Sequence, residues 1–355
     1  MMAKQTLLPK GYATEELLRS YFIKAGYYVV RGVPFRYEGF DVTDIDLWLY
    51  SRASSVSREV TIVDIKNKKT PQAIERIFWI QGLKLATNAH SAIVATTDRR
   101  SEVKDFGKDL GVTVLDGSFL SRLRPKDGPN PARLSDEEFL DLLDTYTLGK
   151  LDGDWKNRIK HCKSLLTKGL SFDNCNEWLG QAQFFAECAV SNPPQREKAL
   201  RCLYLICSFI AVGVDHLLKD LSFVEQAERT ALLSDGFTFG TRGKSGLGKM
   251  IEVALGLVSE HAVDGHDVSR RVRSSIDAQL KSLNVDVLAH FFAKADVGRT
   301  LFQTAREFEV LAMQRSMPDH NASSAELKSM LYCLMDHWNI DRAALNAKQH
   351  SLFSQ

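Results

Sequence analysis

Hydrophobic and polar positions along the first 124 residues alternate between the periods of helices and strands. Apolar residues recur every three or four positions in three segments, while five shorter runs alternate or are continuously β-branched. In chain order the segments are 14–25 (helix), 27–30, 44–50 and 59–66 (strands), 73–86 (helix), 92–96 (strand), 101–110 (helix) and 112–115 (strand). This order predicts one compact α/β domain.

A change in pattern follows at residues 125–133, where three prolines and a glycine are typical of a linker. Beyond it nearly every segment has the helical period, beginning with a capping-box sequence at Ser135–Glu138. We therefore predict an α/β domain at 11–124, a linker at 125–133 and an all-α domain at 134–355. The predicted helices after the capping box cover about 152–167, 176–190, 195–221, 223–234, 247–259, 267–282, 285–294, 298–315, 323–337 and 341–349.

The charge distribution separates the two parts. The chain of 355 residues has a formal charge of +2, but residues 1–125 carry a balance of +5 and the remainder −3. The front third is therefore the better place for a polyanionic substrate. The acidic helical part is expected to mediate protein contacts, either in a homodimer or in a partner complex.

No segment has the pattern of a signal peptide or a membrane span. The longest apolar stretch, Leu203–Val214, has 12 residues, whereas a membrane-spanning helix needs about 20. We expect this stretch to be a buried helix. The six cysteines form no C-x-x-C pair, so we predict reduced thiols and a cytoplasmic protein without membrane contact.

Candidate chemistry is concentrated on two adjacent strands. Asp46 lies in one strand, and Asp64 and Lys66 lie two positions apart in the next, so their side chains share a face. Burying such charges is costly unless an opposite charge compensates them. A Mg²⁺ ion, which is typically bound by one or two carboxylates together with phosphate oxygens, would supply that positive charge. Glu15, on the first helix, and the carbonyl of Ile65 would complete the ligands.

This arrangement suits metal-assisted hydrolysis of a phosphodiester bond. The metal would polarise the phosphate, and Lys66 would orient the attacking water or help to deprotonate it. Basic residues after two strands would bind phosphates, and a glutamine on the second helix would face the site. These predicted nucleic-acid contacts are Lys68, Lys69, Arg99, Arg100 and Gln81.

The ordered set resembles the PD-(D/E)xK restriction-endonuclease-like superfamily, and within it the Mrr-type restriction endonucleases. The matching pieces are Glu15 with Gly26-Tyr27, Ile45-Asp46-Leu47, Asp64-Ile-Lys66, and Ala92-Ile-Val-Ala-Thr-Thr97 through Phe106 to Val114-Leu-Asp-Gly117 and Leu120. They cover about residues 11–124. The proline that often precedes the first aspartate is missing, since the sequence there is Val42-Thr-Asp-Ile-Asp46.

The resemblance implies a restriction-endonuclease-like fold for the N-terminal domain and a hydrolase that cuts DNA internally. It implies Mg²⁺ dependence, with Mn²⁺ as a substitute, and Glu15, Asp46 and Asp64 as metal ligands. It also implies dimerisation and a role in defence against foreign DNA.

Several alternatives remain open. Asp44 competes with Asp46 as the first ligand, and Glu16 competes with Glu15. The charged set can also be read as a structural ion pair in a non-enzymatic nucleic-acid-binding or scaffold protein that keeps the nuclease fold. A third alternative is a ribonuclease that acts through the helical half.

Two further motifs are weaker. Gly243–Lys249 matches G-x-x-x-x-G-K, but Met250 replaces the Ser or Thr that would hold Mg²⁺, so a basic loop capping a helix is favoured. Arg315 and His320 have the R-x4-H spacing of some helical ribonucleases, but Pro318 would break the helix that this signature needs.

Overall fold

The computed structural model describes residues 10–68, 72–123 and 130–346, and the chain divides into two compact units. The first unit extends to Gly169 and includes Met313–Met317. The second comprises Leu170–Ala312 and the residues from Pro318 onward. A mixed sheet with helices is followed by a mostly helical region, which confirms the predicted fold class at this level.

The first unit is built on a five-stranded sheet in the order β1-β2-β3-β4-β5. The strands are β1 (Tyr28–Tyr37), β2 (Phe40–Arg52), β3 (Arg58–Lys66), β4 (Ser91–Thr96) and β5 (Val112–Leu115). The helices are α1 (Lys10–Lys24), α2 (Ala73–Thr87), α3 (Ser101–Asp109), α4 (Gly117–Arg122), α5 (Asp136–Asp144) and α6 (Trp155–Leu165). β1, β2 and β3 pair antiparallel, whereas β3, β4 and β5 pair parallel.

Helices cover both faces of this sheet. On one face, Leu18 and Phe22 of α1 pack with Leu47, Val63 and other alternate strand residues, and α4 packs against the same cluster. α2 and α3 pack on the opposite face, which carries Asp64. Both faces of the sheet are therefore largely covered by helices, although the strand residues Asp44 and Glu59 are exposed and Lys66 is partly exposed.

β1 is longer than the sequence analysis predicted. The pattern ended this strand at Val30, before Gly32 and Pro34, but the pairing with β2 continues through both to Tyr37. β1 is an edge strand, where the missing N–H of a proline costs no ladder hydrogen bond. Gly32 has a φ of +58°, a conformation that a glycine adopts without steric cost.

A buried network of ion pairs extends the first unit past the predicted linker. Arg31 on β1 binds Glu137 of α5, and Arg19 of α1 and Lys163 of α6 both bind Asp136. Both arginines are only 3% exposed. α5 and α6, which the sequence analysis assigned to the all-α domain, therefore belong to the unit that contains the sheet. Part of the predicted linker, residues 125–129, lies outside the described residues.

The second unit consists of helices, as predicted. They are α7 (Phe172–Ser191), α8 (Arg196–Leu218), α9 (Gln226–Phe239), α10 (Gly243–His261), α11 (Gly265–Ser282), α12 (Val285–Phe292), α13 (Ala295–Met313), α14 (Ala325–His337) and α15 (Arg342–Asn346). Every residue of α8 from Ala199 to Asp215 is buried, so this helix is the core of the unit.

Among the described residues, one helical segment is long and apolar enough to cross a membrane, namely Pro193–Leu218. Its apolar window is 89% buried inside the protein, as in the core helix of a soluble protein. The prediction of a buried helix at Leu203–Val214 is therefore confirmed.

Candidate active site

Asp46 and Asp64 occupy opposed positions at the end of the β2–β3 ladder. The last pair of that ladder is Leu47 with Val63, and the next residues on the two strands are the two aspartates. The strands separate there, and Oδ2 of Asp46 accepts the backbone N–H of Ile65 at 2.5 Å. A carboxylate thus replaces a carbonyl as the partner of this N–H group, and its orientation is held by the backbone.

The charges around Asp46 are those that the sequence analysis singled out. Burial raises the pKa of Asp46 to about 7, and the hydrogen bond from Ile65 opposes this rise. The negative charges of Asp64 and Glu15 raise the pKa further, whereas the positive charge of Lys66 lowers it. These effects require proximity, so the structure brings the four predicted catalytic residues into one electrostatic neighbourhood.

Asp46 rather than Asp44 fits a ligand. Both residues lie on β2 and point to the same face of the sheet. Asp44, however, is exposed and pairs with Pro34 of the edge strand β1. Asp46 lies deeper in the sheet and opposite Asp64. Position in the ladder therefore favours the residue that the Ile-Asp-Leu pattern indicated.

Asp64 is only 7% exposed and has a partner that the sequence analysis missed. Nε of Arg76 donates to its Oδ2 at 2.8 Å, and Nη2 of the same guanidinium donates to Oδ1. Arg76 lies in the first turns of α2, three positions after buried Ala73 and four before buried Ile80. The sequence contained one indication of this ion pair, namely an arginine on the otherwise apolar stripe of the helix. An arginine at such a position needs a buried anionic partner.

The two acids of α1 have different surroundings. Glu16 is 2% exposed and binds Arg19 and Arg31, and burial nevertheless raises its pKa. Oε2 of Glu15 accepts from Nε of Arg31 at 2.7 Å. Glu15 is the acid whose charge acts on Asp46, which favours it over Glu16 as the residue associated with the site. Its contact with Arg31 also gives it a structural role.

Lys66 ends β3 on the same face as Asp64 and is partly exposed. The next residue, Asn67, donates from Nδ2 to Oγ1 of Thr14 on α1 at 2.7 Å. This contact fixes the end of β3 against the start of the helix that carries Glu15. The contact explains how α1, β2 and β3 place Glu15, Asp46 and Asp64 near one another.

The predicted phosphate contacts have mixed outcomes. Lys68, Arg99 and Arg100 are exposed in the loops after β3 and β4, and Lys69 lies outside the described residues. Oγ1 of Thr97 donates to the carbonyl of Lys68 at 2.6 Å, which joins the two loops. The exposed guanidinium of Arg100 forms an ion pair with Asp98 at 2.7 Å.

The described hydrogen-bond partner of Gln81 lies at the end of α3. The amide nitrogen of Gln81 donates to the carbonyl of Leu110, just after α3 ends. This hydrogen bond occupies the amide nitrogen of Gln81, and the contact of Gln81 with the attacking water or the nucleic acid stays a prediction. Helical periodicity predicted the helix that carries Gln81, but it could not predict which neighbouring element the Gln81 side chain contacts.

The two weaker motifs are not assembled as sites. α10 begins at Gly243, so the glycines of Gly243–Lys249 lie in a helix, and α9 rather than a strand precedes them. α13 ends at Met313, before Arg315, and Arg315 is bound to Glu138 at 2.8 Å.

Within residues 10–68, 72–123 and 130–346, no three His, Cys, Asp or Glu side chains are grouped to hold a metal ion. The carboxylates of Asp46 and Asp64 occupy opposed positions, and the binding of Mg²⁺ by Glu15, Asp46 and Asp64 stays a prediction. Comparison with protein-family models, curated proteins and solved structures finds no match to this chain.

Proposed function

We propose that this protein is a Mg²⁺-dependent endonuclease that hydrolyses phosphodiester bonds of DNA, and that its N-terminal unit has a PD-(D/E)xK nuclease-like fold. The observation that carries the proposal is the opposed pair Asp46 and Asp64 at the point where β2 and β3 separate. Lys66 and Glu15 act electrostatically on the same carboxylate. Four residues chosen from a sequence pattern thus share one neighbourhood.

The donor chemistry of the pair fits Mg²⁺. This ion is usually held by one or two protein carboxylates, with water and phosphate oxygens as the other ligands, so a third protein ligand is not required. Repulsion from Asp64 and Glu15 contributes to the raised pKa of Asp46, and a bound cation would relieve it. Asp46 and Asp64 would hold the ion, which would polarise the scissile phosphate and offset the charge that develops on it.

The chain's own residues would prepare the reaction. The N–H of Ile65 holds the carboxylate of Asp46 in place. The ammonium group of Lys66, on the same face as Asp64, would orient the attacking water and take part in its deprotonation. Lys68, Arg99 and Arg100, on loops that follow neighbouring parallel strands, would bind the phosphate backbone, and Lys69 stays a predicted contact from the sequence.

DNA as the substrate and a role in defence rest on the family resemblance, and the proposed cytoplasmic location rests on the cysteine pattern. The net positive charge of residues 1–125 is consistent with binding of either DNA or RNA. We propose that the helical unit mediates assembly as a homodimer or with a partner protein, because two copies of a one-strand site cut both strands of a duplex.

A second candidate function is nucleic-acid binding without catalysis. The observation that favours it is the bidentate ion pair of Asp64 with Arg76, which is also how a structural carboxylate is satisfied. In that case Asp64 would remain paired with Arg76 and no metal would be needed.

Cleavage assays separate these candidates. Purified full-length protein is incubated with supercoiled plasmid and with structured RNA, in Mg²⁺ and in EDTA. We expect nicked and linear plasmid only in Mg²⁺, and no cleavage by Asp46→Asn or Asp64→Asn. Asp44→Asn, an exposed aspartate on the same strand, is the matched control and should cut normally.

Metal-dependent cleavage of RNA but not of plasmid would change the proposed substrate from DNA to RNA and would leave the proposed metal site unchanged. Metal-independent cleavage, or full activity of the Asp46→Asn variant, would contradict the proposed site. Binding of DNA without any cleavage would support the second candidate.

A further inference from the structure

Arg76 is a cation beside the candidate site, and the proposed catalytic mechanism gives it no role. It binds both oxygens of Asp64, and its guanidinium also lies over the ring of Trp79, 5.5 Å from the centroid. The Arg76 side chain is 24% exposed and Trp79 is 43% exposed, so the pair borders solvent. A buried carboxylate is therefore neutralised by a group that can reach the surface.

The same carboxylate is one of the two proposed metal ligands. Two cations that share one carboxylate in a partly buried site repel each other strongly, because the effective dielectric constant there is well below that of water. A divalent ion on Asp46 and Asp64 and a guanidinium on Asp64 therefore oppose each other. Metal binding would favour departure of Arg76.

A displaced Arg76 has an obvious new partner. The guanidinium fork fits a phosphate as well as a carboxylate and binds either in bidentate fashion. Arg76 lies in the first turns of α2, the helix that follows the basic loop after β3. Nucleic acid bound at the proposed site would bring a phosphate to this end of the sheet.

Resting on the proposed function, we propose that Arg76 is an exchangeable counter-ion. It neutralises Asp64 in the metal-free protein, leaves when a divalent cation binds, and then binds a phosphate of the nucleic acid. Arg76 thereby couples metal binding to substrate binding: it weakens the metal site in the absence of nucleic acid and strengthens nucleic-acid binding once metal is present.

The first test measures Mn²⁺ affinity of the full-length protein without nucleic acid, by electron paramagnetic resonance of the unbound ion. We expect Arg76→Gln to bind Mn²⁺ at least tenfold more tightly than the wild type. Arg36→Gln is the matched control, because Arg36 also pairs with an aspartate, Asp41, but at the exposed β1–β2 hairpin. Its affinity should equal that of the wild type.

The second test measures binding of a labelled DNA duplex by fluorescence anisotropy, with Lys66→Ala as the background to slow turnover. Adding Arg76→Gln to this background should leave the affinity in EDTA unchanged and weaken it at least threefold in saturating Mg²⁺. Equal affinity of the two proteins in Mg²⁺ would overturn the transfer of Arg76 to phosphate.

A third measurement needs no change at Arg76, in case Arg76→Gln does not fold. Mg²⁺ should alter the tryptophan emission of the wild type, and Trp79→Phe should lose that change, because the guanidinium leaves the ring. Binding of Mg²⁺ without a Trp79-dependent change would overturn the proposal.

The outcomes also separate this inference from the proposed function. Unchanged or weaker Mn²⁺ binding by Arg76→Gln, with normal metal-dependent cleavage by the wild type, overturns the exchange and leaves the nuclease proposal intact. Absence of Mn²⁺ binding in both proteins overturns both.

Discussion

The carboxylate of Asp46 accepts the backbone N–H of Ile65 at 2.5 Å, just beyond the last residue pair of the β2–β3 ladder. This side chain is held in place, yet burial and the nearby charges of Asp64 and Glu15 raise its pKa to about 7. The fold therefore retains an acidic group whose charged form it disfavours. Groups with such perturbed pKa values are concentrated at functional sites.

Asp46→Asn should abolish Mg²⁺-dependent cleavage and stabilise the metal-free protein at pH 8. Because the pKa of folded Asp46 lies above its ordinary value of 3.8, the stabilisation from its protonated form is complete below about pH 4 and is lost as the pH rises through 7. Asparagine keeps an oxygen for the N–H of Ile65. We expect a gain of about 1–3 kcal/mol at pH 8, and a smaller gain at pH 5, in urea unfolding with EDTA.

The control for this prediction is Asp44→Asn, which changes an exposed aspartate on the same strand. It should alter neither cleavage nor the pH dependence of unfolding. If Asp46→Asn and the wild type have parallel stability curves from pH 5 to pH 8, Asp46 titrates as an ordinary aspartate.

Lys66→Ala should reduce turnover by about 10²–10⁴-fold, the range for loss of an acid–base group, while Mn²⁺ binding is largely retained. Lys66 acts on Asp46 through its charge and is not a metal ligand. Single-turnover cleavage and calorimetric Mn²⁺ binding measure the two effects. Lys108→Ala, an exposed lysine of α3, is the control, and turnover within threefold of wild type for Lys66→Ala would assign Lys66 a structural role.

Asp136→Asn should destabilise the sheet-containing unit at pH 7 by about 3–5 kcal/mol, since it breaks a buried network. Burial alone would raise the pKa of Asp136, but Lys163, Arg19 and Arg31 outweigh it and hold the pKa below its usual range. Its stabilising contribution is therefore present above about pH 4 and is lost as the pH falls further.

Thermal unfolding from pH 7 to pH 2 measures this effect. The difference between Asp136→Asn and the wild type should shrink as the pH falls. Asp144→Asn, at the other end of α5, is the control, because Asp144 forms only an exposed pair with Lys156 and should cost less than about 1 kcal/mol. A pH-independent difference would show that the network does not depend on the charge of Asp136.

Gly107→Ala should destabilise the protein by about 1–3 kcal/mol, because α3 packs too closely on β5 for a methyl group. A Cβ at Gly107 would lie 2.5 Å from Cγ2 of Val114 and 2.9 Å from the carbonyl oxygen of Val112. Gly82→Ala, in the middle of α2, has no atom within 4 Å and should stabilise the protein by about 0.5–1 kcal/mol. Equal effects in urea unfolding would contradict this difference in packing.

The sequence alone was sufficient for the order of the sheet elements and for the placement of Asp64 and Lys66 on one face of a strand. Strand and helix periods are local properties of the chain, and Asp64 and Lys66 lie on one face because side chains in a strand alternate. Alternation does not separate Asp46 from Asp44, which share a strand face. The Ile-Asp-Leu pattern favoured Asp46, and its place opposite Asp64 depends on the β2–β3 register. Local pattern failed for β1, where the position at the edge of the sheet tolerates Pro34.

Tertiary structure decided which charges are neutralised and by what. Arg76 on Asp64, Arg31 on Glu15 and Gln81 on Leu110 are contacts between elements 12 to 29 residues apart in the chain. The extension of the first unit past the linker likewise depends on pairs such as Arg19 with Asp136. Periodicity indicates which face of an element is buried, but the partner of a buried charge is set by the packing of separate elements, and that partner determines whether a carboxylate is available to a metal.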